Sequence, residues 1–456
     1  MNSATEGPIA TAEEGKGQTA RRRYRRIAAA GVSALAGKGT SLLVNALTVP
    51  ITVRYLGAES YGLWITISSV ITMFFVMDLG ISSTLTNLIS QSYANDDRER
   101  AAEYFSTAFW ILSAIAACLG IAGALAWPHV PWGALFNIKD APLAHETSQA
   151  AAAAFVVFLF ALPMALVSKV LAGYQELHAA NLFATAGSVL SLLMVVAVVL
   201  MHGGLAVLVG AYAGSTVAAN GACMAWMCVY RKPWMKPSLR RFRWGLIKPI
   251  FHSGTQFFAI QVAGLVVFSS DNLIISHYLS PARVTPYAVT WRLVNYIAAA
   301  QTLIFPALWP AYSEAYASGH LDWIRATYRH VRWITIVVLA VGCSVAALAG
   351  RSIIRIWAGP AAVPAPPLIE LMCVWIVIYA FSTNQSCLMG ATTRVGKQAI
   401  SSVTAAVFNL ALSIFWVRTM GPFGVLFATI VSYLVFIVAV QTLEVRRILR
   451  GDFLPT

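Results

Sequence analysis

The run Phe155-Val156-Val157-Phe158-Leu159-Phe160-Ala161-Leu162-Pro163-Met164-Ala165-Leu166-Val167 is apolar on every side, and Leu190 to Leu200 repeats the pattern. A helix without a polar face has nothing to offer water and belongs in a large core or a bilayer. Stretches of about 20 residues almost free of charge recur along the whole chain, the length needed to cross roughly 30 Å of hydrocarbon. Composition agrees: 58% of the 456 residues are apolar and 11% are charged, with a mean hydropathy of +0.70, where a soluble domain carries roughly 25% charged residues. An ordinary water-soluble enzyme is excluded. So is a membrane β-barrel, whose strands would alternate apolar and polar residues over segments of about 10. The chain reads as an all-α polytopic membrane protein.

The spans predicted are 28–52, 61–90, 104–127, 149–172, 179–200, 204–229, 251–278, 286–311, 332–350, 367–390, 398–417 and 424–443, about 12 transmembrane helices. Lys and Arg crowd one side of this map, in the block Arg21-Arg22-Arg23-Tyr24-Arg25-Arg26 and above all between Arg231 and Lys248. The other side holds only Arg54, Lys139, Arg283, Arg351, Arg355 and Arg418. Cytoplasmic loops attract Lys and Arg, so both termini are expected in the cytoplasm. The net charge of +14 is thereby topological, and no nucleic-acid partner is expected. Twin arginines ahead of an apolar run imitate a secretory signal, but the apolar pattern continues through Thr40 to Val53 and Lys38 lies inside it, so an anchored first helix explains more. Residues 1–27 are read as a disordered basic tail, 28–230 as an N-terminal lobe of six helices, 231–250 as a basic cytoplasmic linker, 251–445 as a C-terminal lobe of six, and 446–456 as a cytoplasmic tail. Six cysteines lie in apolar stretches without a CxxC pair, and eight histidines show no ligand spacing; neither a metal site nor catalytic residues are signalled.

The two halves are weakly alike. Tyr55-Leu56-Gly57 leading to Tyr61-Gly62-Leu63-Trp64 in the first has a counterpart in Tyr278-Leu279-Ser280-Pro281 leading to Pro286-Tyr287-Ala288-Val289 in the second. Six helices per half, an even number, give both copies the same orientation: a parallel repeat with its axis along the membrane normal, the plan of a two-lobed transporter with a cavity between lobes.

A charge at the centre of a span costs about 2.5–3.5 kcal/mol on insertion scales and requires a partner or a wet cavity. Lys38 and Asp78 are expected at similar depth in the first two helices, and Asp271 with Arg292 in the seventh and eighth. Two roles are open for them. They either form ion pairs that hold neighbouring helices, or they line a cavity, where Lys38 and Arg292 bind an anionic group such as phosphate and Asp78 and Asp271 take up a proton or sodium ion as coupling carboxylates. Ser41, Asn45 and Thr48 share a helix face with Lys38, and Gln256 and Gln261 add polarity to the seventh span. Such residues either line a pore or act as packing glue between helices.

The stretch from Tyr55-Leu56-Gly57 to Trp64, with Met77-Asp78-Leu79-Gly80-Ile81 after it, resembles the start of bacterial polysaccharide exporters, the O-antigen and exopolysaccharide flippases of the multidrug/oligosaccharidyl-lipid/polysaccharide (MOP) superfamily. Ser253-Gly254, Asp271-Asn272-Leu273-Ile274-Ile275 before Tyr278-Leu279, and Pro306-Ala307 through Tyr312-Ser313-Glu314 resemble the matching stretch of their second half. The resemblance implies a MATE-like bundle in the bacterial cytoplasmic (inner) membrane. It would open alternately to each side and carry an undecaprenyl-diphosphate-linked oligosaccharide to the outer leaflet, driven by H+ or Na+ and without a cofactor. It implies as partners the polyprenyl-diphosphate-linked glycan, the lipid bilayer, and a polysaccharide polymerase and glycosyltransferases. The alternatives are a multidrug extruder of organic cations from the same superfamily, a lipid II flippase, and a purely structural anchor for glycosyltransferases.

Overall fold

The structure is a computed structural model that describes residues 9–74, 78–248, 255–317, 319–392 and 396–451. Among the described residues there is no strand. Backbone amides in hydrocarbon have no water to bond and must be satisfied within a helix or a closed barrel, and this sequence takes the first course.

The elements are α1 (Ile9–Phe74), α2 (Ile81–Ala94), α3 (Arg98–Ala126), the short α4 (Trp132–Phe136), α5 (Ala141–Met164), α6 (Leu166–Gly173), α7 (Leu177–Leu200), α8 (Leu205–Trp226), α9 (Thr255–Tyr278), α10 (Pro281–Ala317), α11 (Leu321–Ala358), α12 (Leu368–Ala391), α13 (Gly396–Met420), α14 (Pro422–Ser432) and α15 (Ala439–Arg450), the last two joined by a π-helical turn. Helix α1 is two helical arms meeting at Gly57, whose φ of 74° breaks the helix; we call residues before it α1a and residues after it α1b. Arm α1a runs alongside α7 in the same sense. Gly37 of α1a abuts Thr185 near the start of α7, and the Tyr55 hydroxyl donates to the Gly203 carbonyl just past the end of α7. Counting α1a as one crossing, α1b with α2 as the next, α5 with α6 and α14 with α15 as single crossings, and leaving out the five-residue α4, the described chain makes about 12 transmembrane helices.

Two six-helix lobes follow from the packing. Arm α1a packs on α7 as α9 packs on α13, and α7 packs on α8 as α13 packs on α14. Between lobes, α1 meets both α9 and α10, as a two-fold exchange of the lobes requires.

Several expectations are corrected. The second span, predicted unbroken over 61–90, is interrupted: Leu79 and Gly80 have φ of 52° and 76°, and α2 starts afresh at Ile81. The fourth span holds as one crossing, Ala141–Gly173, with a single-residue irregularity at Ala165 just after Pro163, where the amide still donates to the Ala161 carbonyl. Residues 9–27, read as disordered, are helical; Ala, Glu, Lys, Gln and Arg are good helix formers. Residues 446–450, read as tail, complete α15, because Val445 and Ile448 are buried in a cluster with Tyr312 and Ile324. Residues 1–8, 249–250 and 452–456 of the predicted tails and linker lie outside the described residues.

The linker is not loose where it is described. Residues 233–246 form three short turns laid across one end of the N-terminal lobe. The Ser238 and Arg243 amides donate to the hydroxyls of Ser106 and Thr107 on α3, and the Arg243 guanidinium meets Glu103 at 2.8 Å. Every ion pair found among the described residues lies at this end of the bundle, the end that carries the termini. In the most enclosed, Glu176 accepts from Lys232 at 3.2 Å and from Arg231 at 3.1 Å, with side chains 9% and 7% exposed for Glu176 and Lys232. The Lys232 ammonium also stands 4.1 Å over the Tyr174 ring. Burial pulls its pKa below the usual lysine value, against the opposing pull of the Glu176 carboxylate. This clasp ties the α6–α7 turn to the end of α8. Glu176→Gln leaves Lys232 buried without its counter-charge and is expected to cost about 3 kcal/mol or more, read as an earlier thermal unfolding of the purified protein. Asp322→Asn breaks an exposed pair with Arg325 (Asp322 side chain 96% exposed) and is expected to leave the transition unmoved.

Candidate functional site

The lobes touch at the end opposite the termini. There, a Cβ on Gly62 of α1b would lie 1.9 Å from the Pro281 carbonyl oxygen at the start of α10, so only glycine permits this approach. The Thr285 hydroxyl donates to the Ala58 carbonyl at 2.5 Å, Arg54 donates to the Ile356 carbonyl at 2.8 Å, and Asn137 donates to the Leu279 carbonyl at 2.8 Å. A single hydrophobic core joins the lobes here, holding Tyr61, Leu63 and Trp64 together with Val284, Tyr287 and Ala288. Toward the termini the core splits. One cluster around Ile81, Phe105 and Val170 belongs to the N-terminal lobe and another around Tyr312 and Leu388 to the C-terminal lobe. The repeated hairpins noticed in the sequence thus form a closed gate at one end, and the lobes diverge at the other.

Cavities with polar side chains in their walls lie between the lobes beneath this gate, and two of them concern the predicted site residues. The larger, about 410 Å³, is lined by Lys38, Leu42 and Asn45 of α1a, by Trp291, Arg292, Asn295, Tyr296, Ala298 and Ala299 of α10, and by Tyr379 and Thr383 of α12. The smaller, about 200 Å³, lies between α1b, α9 and α10 and is lined by Ser68, Ser69, Asp271, Asn272, Tyr287 and Arg292 among others. Trp291 and Arg292 border both.

Lys38 and Arg292, from opposite lobes, therefore share one cavity wall. Lys38 is exposed. Arg292 is half-buried, its Nη1 donating to the Tyr61 hydroxyl at 3.0 Å across the lobe boundary; a guanidinium carries five N–H donors, so most remain for a ligand. Asp271 is 4% exposed and accepts from the Tyr287 hydroxyl at 2.6 Å, while its Oδ1 has no protein partner. Next to it, the Asn272 amide donates to Ser69 of the other lobe at 2.9 Å.

Of the two roles left open for these charges, ion pairing within a lobe is not seen for either pair in the geometry. Asp271 and Arg292 line the smaller cavity together, but a tyrosine partners each. Asp78 does not reach Lys38: its carboxylate accepts from the Ser82 hydroxyl at 2.8 Å and from the Ser82 amide at 3.3 Å, serving the first turn of α2 where the chain restarts after the break. Depth counted along an unbroken helix misplaced it. The polar face of α1a also divides. Lys38 and Asn45, seven residues apart, line the cavity; Ser41 meets Ser188 of α7 at 3.3 Å, and Thr48, 1% exposed, bonds the Val44 carbonyl of its own helix. Gln261 is exposed and belongs to neither cavity lining, and the side chain of Gln256 lies outside the described residues. Sequence reasoning missed Tyr61, Asn295, Tyr296, Tyr379 and Thr383. For α10 the signal was present: Arg292, Asn295, Tyr296 and Ala299 fall at i, i+3, i+4 and i+7, one helix face.

Comparison with known proteins completes the site's setting. Residues 28–316 match the family model described as polysaccharide biosynthesis protein. No curated protein sequence matches the chain. Among solved structures, a multidrug resistance MATE family transporter of the MOP superfamily in its inward-facing conformation superposes with a TM-score of 0.77 at 15% identity, over 93% of this chain and 100% of that one. Such a transporter in the outward-facing conformation gives 0.63 at 14% identity, over 93% and 96%. A MOP superfamily transporter from Pyrococcus furiosus, described as having a binding pocket of reverse polarity that suggests a different function, gives 0.66 at 15% identity, over 93% and 96%. The fold is MATE-like.

Because Gly62 permits the closest backbone approach in the gate, Gly62→Val is expected to hold that end apart. Spin labels at Glu59→Cys and Arg283→Cys, both exposed positions beside the gate, should report a longer separation in the Gly62→Val background than in the parent; an unchanged distance distribution would show that the contact does not set the closed state.

Proposed function

The chain belongs to the polysaccharide biosynthesis protein family, and from that premise we propose that it flips a polyprenyl-diphosphate-linked oligosaccharide across the bacterial cytoplasmic membrane, for O-antigen or exopolysaccharide assembly. The observation that carries this reading is the pair of cations, Lys38 and Arg292, contributed by facing lobes to one cavity whose remaining polar lining is Asn45, Asn295, Tyr296, Tyr379 and Thr383. Guanidinium and ammonium groups suit a diphosphate, and neutral amides and hydroxyls suit a glycan. Both termini are assigned to the cytoplasm, so the lobes diverge toward the side where lipid-linked sugars are built.

Transport follows from how the lobes are joined. Substrate enters from the terminal end and its phosphates take up the free donors of Arg292 and Lys38. Rocking of one lobe against the other opens the Gly62–Pro281 gate, and because Arg292 and Tyr61 belong to different lobes, the same movement parts them. Asp271, with one oxygen free beside the smaller cavity and Asn272 bridging to the other lobe, is placed to take up a proton or a sodium ion and couple it to that movement. A second reading, an extruder of organic cations, is favoured by that same free carboxylate oxygen and would use Asp271 as the counter-charge. Lys38 and Arg292 on the larger cavity oppose it.

The test is a host deleted for the gene and complemented with parent, Lys38→Ala or Arg292→Ala. Flipping predicts that polyprenyl-diphosphate sugars accumulate on the cytoplasmic leaflet in the deletion, and that each substitution lowers polysaccharide export roughly tenfold or more, as expected for loss of a charge-assisted hydrogen bond, at unchanged protein abundance. Normal export by both variants would remove these residues from the mechanism. Unchanged lipid-linked sugars together with increased sensitivity to organic cations would replace the flippase by the extruder.

A further inference from the structure

One helix segment separates two compartments of opposite character. On α1b, Ile65, Ser68, Ser69 and Thr72 face the smaller polar cavity, while Ile67, Val70, Ile71 and Phe74 face away from it into a cleft of about 400 Å³ within the N-terminal lobe. Each set follows i, i+3, i+4, i+7, so the two surfaces are faces of a single helix. The far wall of the cleft is a matching stripe on α3, Leu119, Ala122, Gly123 and Ala126, with Phe155 of α5 beside it. Ala122 and Ala126 are exposed, so the cleft opens at the lipid-facing surface of the lobe. Trp127 and Trp132, with ring centroids 4.5 Å apart, close its outer end.

Every side chain lining the cleft is apolar or aromatic. Water does not fill such a space, and protein interiors keep few voids larger than a water molecule; at bilayer depth the occupant is hydrocarbon. A bulk phospholipid keeps its head at the interface and has no use for a polar chamber on the far side of the helix. A lipid whose charged head has been drawn between the lobes has its first hydrocarbon units within about 10 Å of the cleft, one helix diameter. We propose that the cleft is the seat of the polyprenyl chain while the diphosphate stands at Arg292. This rests on the flippase reading above, which names the head but gives its tail no place. The seat also touches the gate. Helix α4 borders the cleft, and its Leu135 and Phe136 carbonyls meet His277 Nδ1 at 2.9 Å and the Ser276 hydroxyl at 3.3 Å on α9 of the other lobe. A chain pressing on α4 therefore bears on contacts that hold the lobes together.

The test uses the full-length protein in nanodiscs with two photoreactive lipids: a long-chain polyprenyl diphosphate carrying a diazirine in its third isoprene unit, and phosphatidylglycerol carrying one in its acyl chain. After irradiation, labelled peptides are mapped by mass spectrometry. The expected result is polyprenyl labelling concentrated in 119–136 and at 151–155, competed by unlabelled polyprenyl diphosphate and not by phosphatidylglycerol. Ala126→Trp, which fills an exposed edge of the cleft, should cut that labelling roughly tenfold, as steric exclusion from an apolar pocket does, while retaining competition by inorganic diphosphate at the Arg292 cavity. Polyprenyl labelling confined to other helices, but still lost in Arg292→Ala, would overturn the cleft and keep the flippase. Equal, uncompeted labelling of the cleft by both probes would assign it to bulk lipid and overturn the proposal. Absence of any saturable polyprenyl diphosphate labelling would overturn both readings.

Discussion

A charge at bilayer depth must find either a counter-charge or water, and the placement of polar residues here follows from that cost. Among the described residues, ion pairs gather at the end of the bundle that carries the termini, where water is close. Deeper in, no ion pair forms among the described residues; Lys38, Asp271 and Arg292 instead border cavities between the lobes, and tyrosine hydroxyls from Tyr61 and Tyr287 serve as neutral partners of Arg292 and Asp271. A neutral partner leaves the charge available. An Arg292–Asp271 pair would have spent both groups on each other, and the cavity would have lost its cation and its free carboxylate oxygen together.

The second governing feature is close backbone approach. Gly62 against Pro281 and Thr285 against Ala58 bring the hairpin of one repeat onto the hairpin of the other, so the parallel repeat supplies the gate as well as the fold. Around these close approaches a hydrophobic core continuous across both lobes seals that end, while toward the termini each lobe keeps a core of its own. Lobes that are each packed around their own core and joined at one end move as rigid bodies. The cavities, the gate and the apolar cleft all meet at α1b and its neighbours, so a ligand at any of them acts on the same joint.

The sequence by itself determined the class, the approximate number of crossings and the parallel repeat, because hydropathy over about 20 residues and the parity of helices depend on local composition alone. It also marked Lys38 and Arg292 as charges needing an explanation, since burial of a charge is costly wherever it occurs. Partnership was beyond its reach. Asp78 was placed opposite Lys38 by counting 1.5 Å per residue, and the left-handed turn at Leu79 and Gly80 invalidated the count. The face of α1a was read as one polar stripe, yet a helix with neighbours on several sides gave Ser41 to α7 and Asn45 to the cavity. Only the tertiary structure decided that Tyr61 and Tyr287 hold the buried charges, that the gate is shut at the end away from the termini, and that one helix divides a polar chamber from an apolar one. These contacts depend on how separate helices come to rest side by side, Tyr61 and Arg292 from segments more than two hundred residues apart and Tyr287 and Asp271 from neighbouring helices, and a pattern of period 3.6 fixes the faces of a helix without fixing what those faces meet.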